Sequence, residues 1–295
     1  MKYRSLSTLK TNLEHDVVNN KCRSQPLLLH TLGLDQQPPP KDLFSKQSKQ
    51  YASSRPTYPR ELFEFVVSLV EEKNLAWDCA TGNGQAAIVL ADYFKQVVAS
   101  DISTKQIENA QQKGNIAYYI FPAEKTPLKD NSVDLITIAQ ALHWFDHNRF
   151  YSEVRRVLKK RNGDKSAGGI IAAWAYGLHT ISPEIDKVTF RLYEEILGDK
   201  YWPSERKHVE AKYETIPFPF DQIPAPQFQI QLNWSMSDLV NYFRSWSSVQ
   251  NFIEENNYDP VSKILDSLEN AWGGEHRINE KRKVSWPLYV KAGIL

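Results

Sequence analysis

Cysteine is nearly absent from this chain, with only Cys22 and Cys79 in 295 residues. Two thiols cannot build the disulfide framework of a small secreted domain, so a reducing compartment is expected. No apolar run approaches the ~20 residues that span a bilayer, and the N-terminus lacks the apolar stretch of a secretory signal. The reading is a cytoplasmic protein with no membrane partner. An excess of either charge is missing as well. The formal net charge of +1 removes the footprint of a protein that holds nucleic acid through its phosphates. The densest basic run, residues 155–161, follows a helical pattern and is expected to be a solvated last turn. What remains, 41% hydrophobic and 24% charged residues, is ordinary globular composition. The length suits one large α/β domain or a core with an inserted cap.

Residues 1–41 have no sustained periodicity and end in Gln36-Gln37-Pro38-Pro39-Pro40, which predicts a loosely attached N-terminal arm. From Asp42 the pattern changes. Leu62, Phe63, Val66, Val67, Leu69 and Val70 recur at helical spacing after Pro59, a residue suited to a first turn. Short apolar runs then follow at residues 75–79, 96–100, 117–121, 133–139 and 169–175, most of them separated by helical segments. That alternation predicts an α/β core over residues 42–181, a mostly parallel sheet with helices on both faces. Residues 182–260 are rich in Trp, Tyr, Phe and Pro, with helical patches at 184–197 and 236–255, and predict a helical, aromatic cap insertion. Alternation in Phe228, Ile230, Leu232 and Trp234, and again in Val284, Trp286, Leu288 and Val290, predicts two more strands, for seven in all. Residues 261–295 would supply a C-terminal helix and the last strand, although Pro287 removes a ladder donor there.

The sharpest feature is Trp77-Asp78-Cys79-Ala80-Thr81-Gly82-Asn83-Gly84-Gln85, placed directly after a strand and before an apolar helix. Glycines at such a turn let backbone approach a ligand, while the helix aims free N–H groups into the crevice. The spacing from Gly82 also satisfies G-x-G-x-x-A, so the loop alone leaves a nicotinamide enzyme open. Asp78 tilts the balance, because a carboxylate at the strand end suits the ammonium of S-adenosylmethionine and repels a pyrophosphate. Asp101 ends the next strand, seventeen residues after Gly84, where a carboxylate can accept both ribose hydroxyls or cap the following helix. Ala123-Glu124 follows the third strand, at the edge where an adenine would lie.

This order of segments resembles the class I S-adenosylmethionine-dependent methyltransferases over about residues 44–176, with residues 78–85, Asp101 and Ala123-Glu124 as three successive motifs. Residues 51–59 and the stretch Ala139-Gln140-Ala141-Leu142-His143-Trp144-Phe145-Asp146 are similar to the small-molecule group that includes trans-aconitate methyltransferases. The resemblance implies a Rossmann-like core, S-adenosyl-L-methionine as cofactor and no metal. It implies that Ala80, Gly82, Gly84 and Gln85 form the cofactor loop, that Asp101 holds the ribose and that Ile102 packs on the adenine. Ala123 and Glu124 would meet the adenine amino edge, Gln140 the methionine portion, and Tyr51 would close over the cofactor. Arg55, Tyr58, His143, Trp144, Trp174, Tyr176, Arg244 and Trp246 would face the acceptor. Ala80 departs from the glycine usual there, so one backbone position must tolerate a methyl group. A carboxylate acceptor needs no base, whereas a hydroxyl or carbon acid would call on His143. Arg55 and Arg244 favour an acidic small-molecule acceptor. The enzyme is expected to be a monomer or weak homodimer; a cofactor-binding protein without catalysis is the alternative.

Overall fold

Strands buried on both faces carry no polar alternation, and four such runs, with a half-buried fifth at the edge, build the parallel part of the sheet. In a computed structural model, residues 55–160 and 168–295 are described; the expected arm at 1–41, Cys22 and Tyr51 lie outside them. β1 (Leu75–Cys79) pairs in parallel with β2 (Gln96–Asp101) on one side and β4 (Leu135–Ala139) on the other. β3 (Ile116–Ile120) lies beyond β2, and β5 (Ile170–Tyr176) beyond β4, both parallel. Strand order therefore reverses between β1 and β4. In open α/β sheets that reversal leaves a crevice at the carboxyl ends of the two strands.

Helices cover both faces. All seven β5 residues are buried, and successive ones join opposite cores. Ile170, Ala172, Trp174 and Tyr176 face α1 (Arg60–Ser68), α2 (Gln85–Leu90) and the helical cap. Ile171, Ala173 and Ala175 share the other core with Phe150, Val154 and Val157 of α4 (His147–Val157). The short α3 (Thr104–Glu108) follows β2, its first turn capped by the Ser103 hydroxyl, which accepts from the Gln106 N–H. The basic run at the end of α4 is solvated at Arg155 and Lys160, but Arg156 is tied down. Arg156 ion-pairs with Glu153 and Asp130 and donates to the carbonyls of Thr126 and Leu128, fastening the loop before β4 to the helix.

Among the described residues the sheet has eight strands, one more than expected, and the extra is the three-residue β6 (Asp221–Ile223). β8 (Arg282–Ile294) runs antiparallel to β5 along one edge; along the other it pairs with β6 and then with β7 (Phe228–Trp234). Pro287 fits because its carbonyl accepts from the Gly177 N–H just past the end of β5. In an antiparallel pair a residue's N–H and C=O point the same way, so the missing donor falls where that ladder stops. The stretch expected as a cap divides accordingly: 221–234 joins the sheet, while the cap is built from α5 (Pro183–Phe190), a π-helical turn at Arg191–Leu197, α6 (Gly198–Tyr201), α7 (Arg206–Glu210), α8 (Met236–Arg244) and α9 (Ser247–Asn256). α10 (Leu265–Trp272) packs on α5 and α8, carrying the cap beyond residue 260. Among the described residues no helix is long and apolar enough to cross a membrane.

Trp286 of β8 joins cap to sheet: it is fully buried, lies 4.8 Å from Trp234 and 5.7 Å from Tyr242 between ring centroids, and donates its indole N–H to the Tyr242 hydroxyl. Trp286→Ala should cost about 3–5 kcal/mol, read as a lower urea midpoint with an unchanged slope.

Candidate active site

The crevice at the strand reversal is a cleft of about 710 Å³. The loop after β1 forms its floor, and three of its residues have left-handed backbone: Ala80 (φ +53°), Gly82 (φ +56°) and Gly84 (φ +84°). The Thr81 N–H donates to the Ser100 carbonyl of β2, and the Gly84 N–H to the Thr81 carbonyl, which closes the turn. Ala80 borders the cleft despite its methyl group, a conformation that costs a non-glycine residue about 1–2 kcal/mol. Gly84 is required for a different reason from the expected one. It does not border the cleft; a Cβ there would collide with the Tyr118 hydroxyl from β3.

Asp78 lies beneath the loop and not in the cleft wall. Its carboxylate is fully buried and accepts from the Thr81 hydroxyl and, at 2.8 Å, from the Thr137 hydroxyl of β4. Burial pushes its pKa up to about 6 against those donors. Asp101 does stand at the wall: one oxygen accepts from the Gly82 N–H and the other from the Ser103 N–H, both at 2.9 Å. Beside it Ile102 is 38% exposed, unusual for an isoleucine within a folded core. Ala123 and Glu124 complete this end, Glu124 accepting from the Asp146 N–H. Gln106 brings a buried Oε1 to the wall that no donor among the described residues satisfies, a seat for a ligand N–H or O–H.

At the opposite end Gln140 (φ +56°) is bound to β5, its amide oxygen accepting from the Tyr176 N–H at 2.8 Å. Gln85 donates to the Pro56 carbonyl, holding the chain before α1 over the loop. Arg55 lines the cleft, donating to the Tyr176 hydroxyl at 3.0 Å and the Ser245 carbonyl at 2.8 Å, with its guanidinium 5.5 Å from the Tyr242 ring centre. Tyr58 and Trp144 also border it.

Residues 77–162 match the methyltransferase domain family. A methyltransferase of Dictyostelium discoideum is 36% identical over 252 residues, which cover 84% of this chain and 93% of that protein. The chain belongs to the class I S-adenosylmethionine-dependent methyltransferases. A solved structure described as a type II methyltransferase, from Anaeromyxobacter dehalogenans, is 39% identical with a TM-score of 0.73, covering 81% of this chain and 97% of that one. Methyltransferase cfoB of Aspergillus candidus is 24% identical over 259 residues, 77% of this chain and 78% of that protein. S-adenosylmethionine is the cofactor, and the positive-φ loop, the wall carboxylate of Asp101 and the Gln106 oxygen are groups of the cleft that would suit its polar atoms.

Several expected contacts are not at the wall of the methyltransferase cleft. His143, expected as acceptor contact and base, is buried behind Trp144, their rings 4.8 Å apart, with Nδ1 2.9 Å from the Tyr213 hydroxyl. The tight turn at Leu142–Trp144 sends adjacent side chains opposite ways, Trp144 to the cleft and His143 inward. Burial, with the charge of Arg206 adding to it, lowers the His143 pKa to about 3, so the ring stays neutral. Trp174 is fully buried between Tyr58 and Phe63. Arg244 ion-pairs with Asp259 at 2.8 Å, and Trp246 packs against Phe243 and Tyr193 inside the cap. Tyr51 is outside the described residues. Conversely, Thr81, Ser103, Gln106, Phe121, Phe145 and residues 200–201 and 203–205 line the cleft without having been assigned a contact, beside Trp202 of the aromatic cap that was expected to enclose the acceptor.

Asp101→Ala removes a charged acceptor and unpins Gly82, so affinity for S-adenosylhomocysteine by calorimetry should fall by about 10- to 100-fold, from 1.5–3 kcal/mol for a hydrogen bond to charge. Asp78 has a folded pKa near 6, above the 3.8 of a free aspartate. Such a group favours the fold below the lower value and loses that contribution as pH rises through the upper one. Relative to wild type, Asp78→Asn should therefore gain about 2 kcal/mol of stability between pH 4 and pH 7, measured as the difference in urea midpoints at each pH.

Proposed function

We propose that this methyltransferase acts on a small carboxylic acid, transferring the methyl group in line to a carboxylate oxygen. The observation that carries the reading is the wall of the cleft, where Arg55 is present and His143 is behind Trp144. An ionised carboxylate needs no base at neutral pH, whereas a hydroxyl or carbon acid would lean on a positioned one. A guanidinium matches a carboxylate in charge and in shape. The cleft volume of about 710 Å³ falls in the range of about 300–1,000 Å³ typical of small-molecule sites, which supports a small acceptor beside the cofactor.

Bound there, the cofactor would supply an electrophilic methyl group for in-line transfer to the carboxylate oxygen, with the neutral thioether as leaving group. The protein's part is alignment, worth up to roughly 7–11 kcal/mol in ideal cases. Arg55 orients the acid and ties the approach to α1 to β5 through Tyr176 and to the cap through Ser245. Trp144 and Phe145 close one side and keep water from the reacting atoms. The similarity of residues 51–59 and 139–146 to trans-aconitate methyltransferases points to the same acceptor chemistry.

The test is a methylation screen of small carboxylic acids against their primary amides, using cofactor labelled in the methyl group. Acids should be esterified in preference to amides. Arg55→Met should raise KM for the preferred acid about 10- to 100-fold, the loss of one charge-assisted hydrogen bond, while cofactor affinity stays within twofold. Equal turnover of acids and amides, with no effect of Arg55→Met, would overturn the carboxylate reading.

A further inference from the structure

The cap contributes residues 200–205 to the cleft, and within them Trp202 is held by protein contacts on several sides. Its ring lies 4.8 Å from that of Tyr193 and 5.4 Å from that of Trp246. Its indole N–H donates to the Tyr193 carbonyl at 3.2 Å, so the one polar atom of the side chain is already satisfied by protein. The guanidinium of Arg206 sits 5.1 Å from the Trp202 ring centre and donates through Nε to the Tyr193 hydroxyl, which in turn donates to Glu210. Tyr193 itself comes from the π-helical turn at Arg191–Leu197, and such turns are frequent at functional sites. On the backbone side, Asn251 donates to the Tyr201 carbonyl at 2.9 Å, and Lys200 pairs with Glu255.

A ring fixed in this way loses no rotamer entropy when a ligand meets it. Because its N–H is used internally, what it offers the cleft is apolar and aromatic surface. The cation against it withdraws electron density from the indole, which makes it a poor seat for a second cation and a better one for an electron-rich partner. We infer that Trp202 is a specificity-determining wall that selects a planar, conjugated acceptor over a saturated one of the same size. This rests on the small-acid reading above: the carboxylate would be met by Arg55, and the conjugated part by Trp202. Trp202 acts on the acceptor directly, while Tyr193 and Arg206 are positioning residues that act through it.

The experiment compares benzoate with cyclohexanecarboxylate, and cinnamate with 3-cyclohexylpropionate, as acceptors for the intact enzyme. Benzamide and cinnamamide are the neutral planar controls. Wild type should show a kcat/KM at least tenfold higher for the planar member of each pair. Trp202→Leu should bring the two within threefold while cofactor affinity by calorimetry stays within twofold, and Trp202→Phe should restore most of the preference. Arg206→Met should lower the preference through KM and weaken the near-ultraviolet circular dichroism of the fixed indole. Planar amides methylated as well as planar acids would overturn the carboxylate reading and leave the aromatic wall standing. A wild-type enzyme that takes the saturated members equally well, or accepts no planar member, overturns the wall, as does a Trp202→Leu variant that keeps the preference.

Discussion

A carboxylate taken out of water has to be satisfied by donors, and Asp78 draws its donors from three separate pieces of chain: the Thr81 hydroxyl in the loop, the Thr137 hydroxyl on β4 and the backbone of Ala87 in α2. Those pieces are the floor of the cleft, the strand across the reversal point and the helix behind the loop. Their relative positions follow from one buried group. The left-handed turns at Ala80, Gly82 and Gly84 are tolerable because the loop between them is tied at both levels, from below by Asp78 and from the side by Asp101. The burial that raises the Asp78 pKa is the same burial that keeps those donors away from competing water.

The cap meets this frame through aromatic rings in place of charge. Trp286 on β8, Trp234 on β7 and Tyr242 on α8 form one contact set; Tyr193, Trp202 and Trp246 form the next, closer to the cleft. Arg55 bridges from the other direction, through Tyr176 on β5 and the Ser245 carbonyl after α8. Acceptor-facing surface is thus carried by elements braced against the sheet, which is how a site built partly on connecting segments holds its geometry.

Three parts of the cleft were legible because they are local, a glycine turn after one strand, a carboxylate ending the next and a loop after the third, although Asp78 and Gly84 lie off its wall. The same local pattern could not say which way a side chain points. His143 and Trp144 are neighbours, and only the turn at Leu142–Trp144 decides that one is buried and the other lines the cleft. Trp174 and Tyr176 share a strand face, yet helix α1 covers the first and leaves the second at the wall. Arg244 was expected to meet an acid, and it does: Asp259, fifteen residues further on in the same chain. Residues 200–205 reach the cleft through tertiary folding of the cap, and no periodicity in the sequence encodes that. β6 has three residues, too few for alternation to register.

β8 occupies the middle of one half of the sheet but follows all three of its partners in the chain. During synthesis the ribosome must add about a hundred residues after β5 is complete before the first residue of β8 exists, a delay on the order of 5–20 s at typical elongation rates. Through that interval β5 carries an open hydrogen-bonding edge of seven buried-type residues, Ile170–Tyr176, and β7 has no neighbour to pair with. The nascent chain is therefore most vulnerable to misassociation late, with the cofactor loop already made. Ligand bound to that loop cannot by itself protect the open side of the sheet, and folding yield should depend on how quickly β8 threads between strands that have been waiting for it.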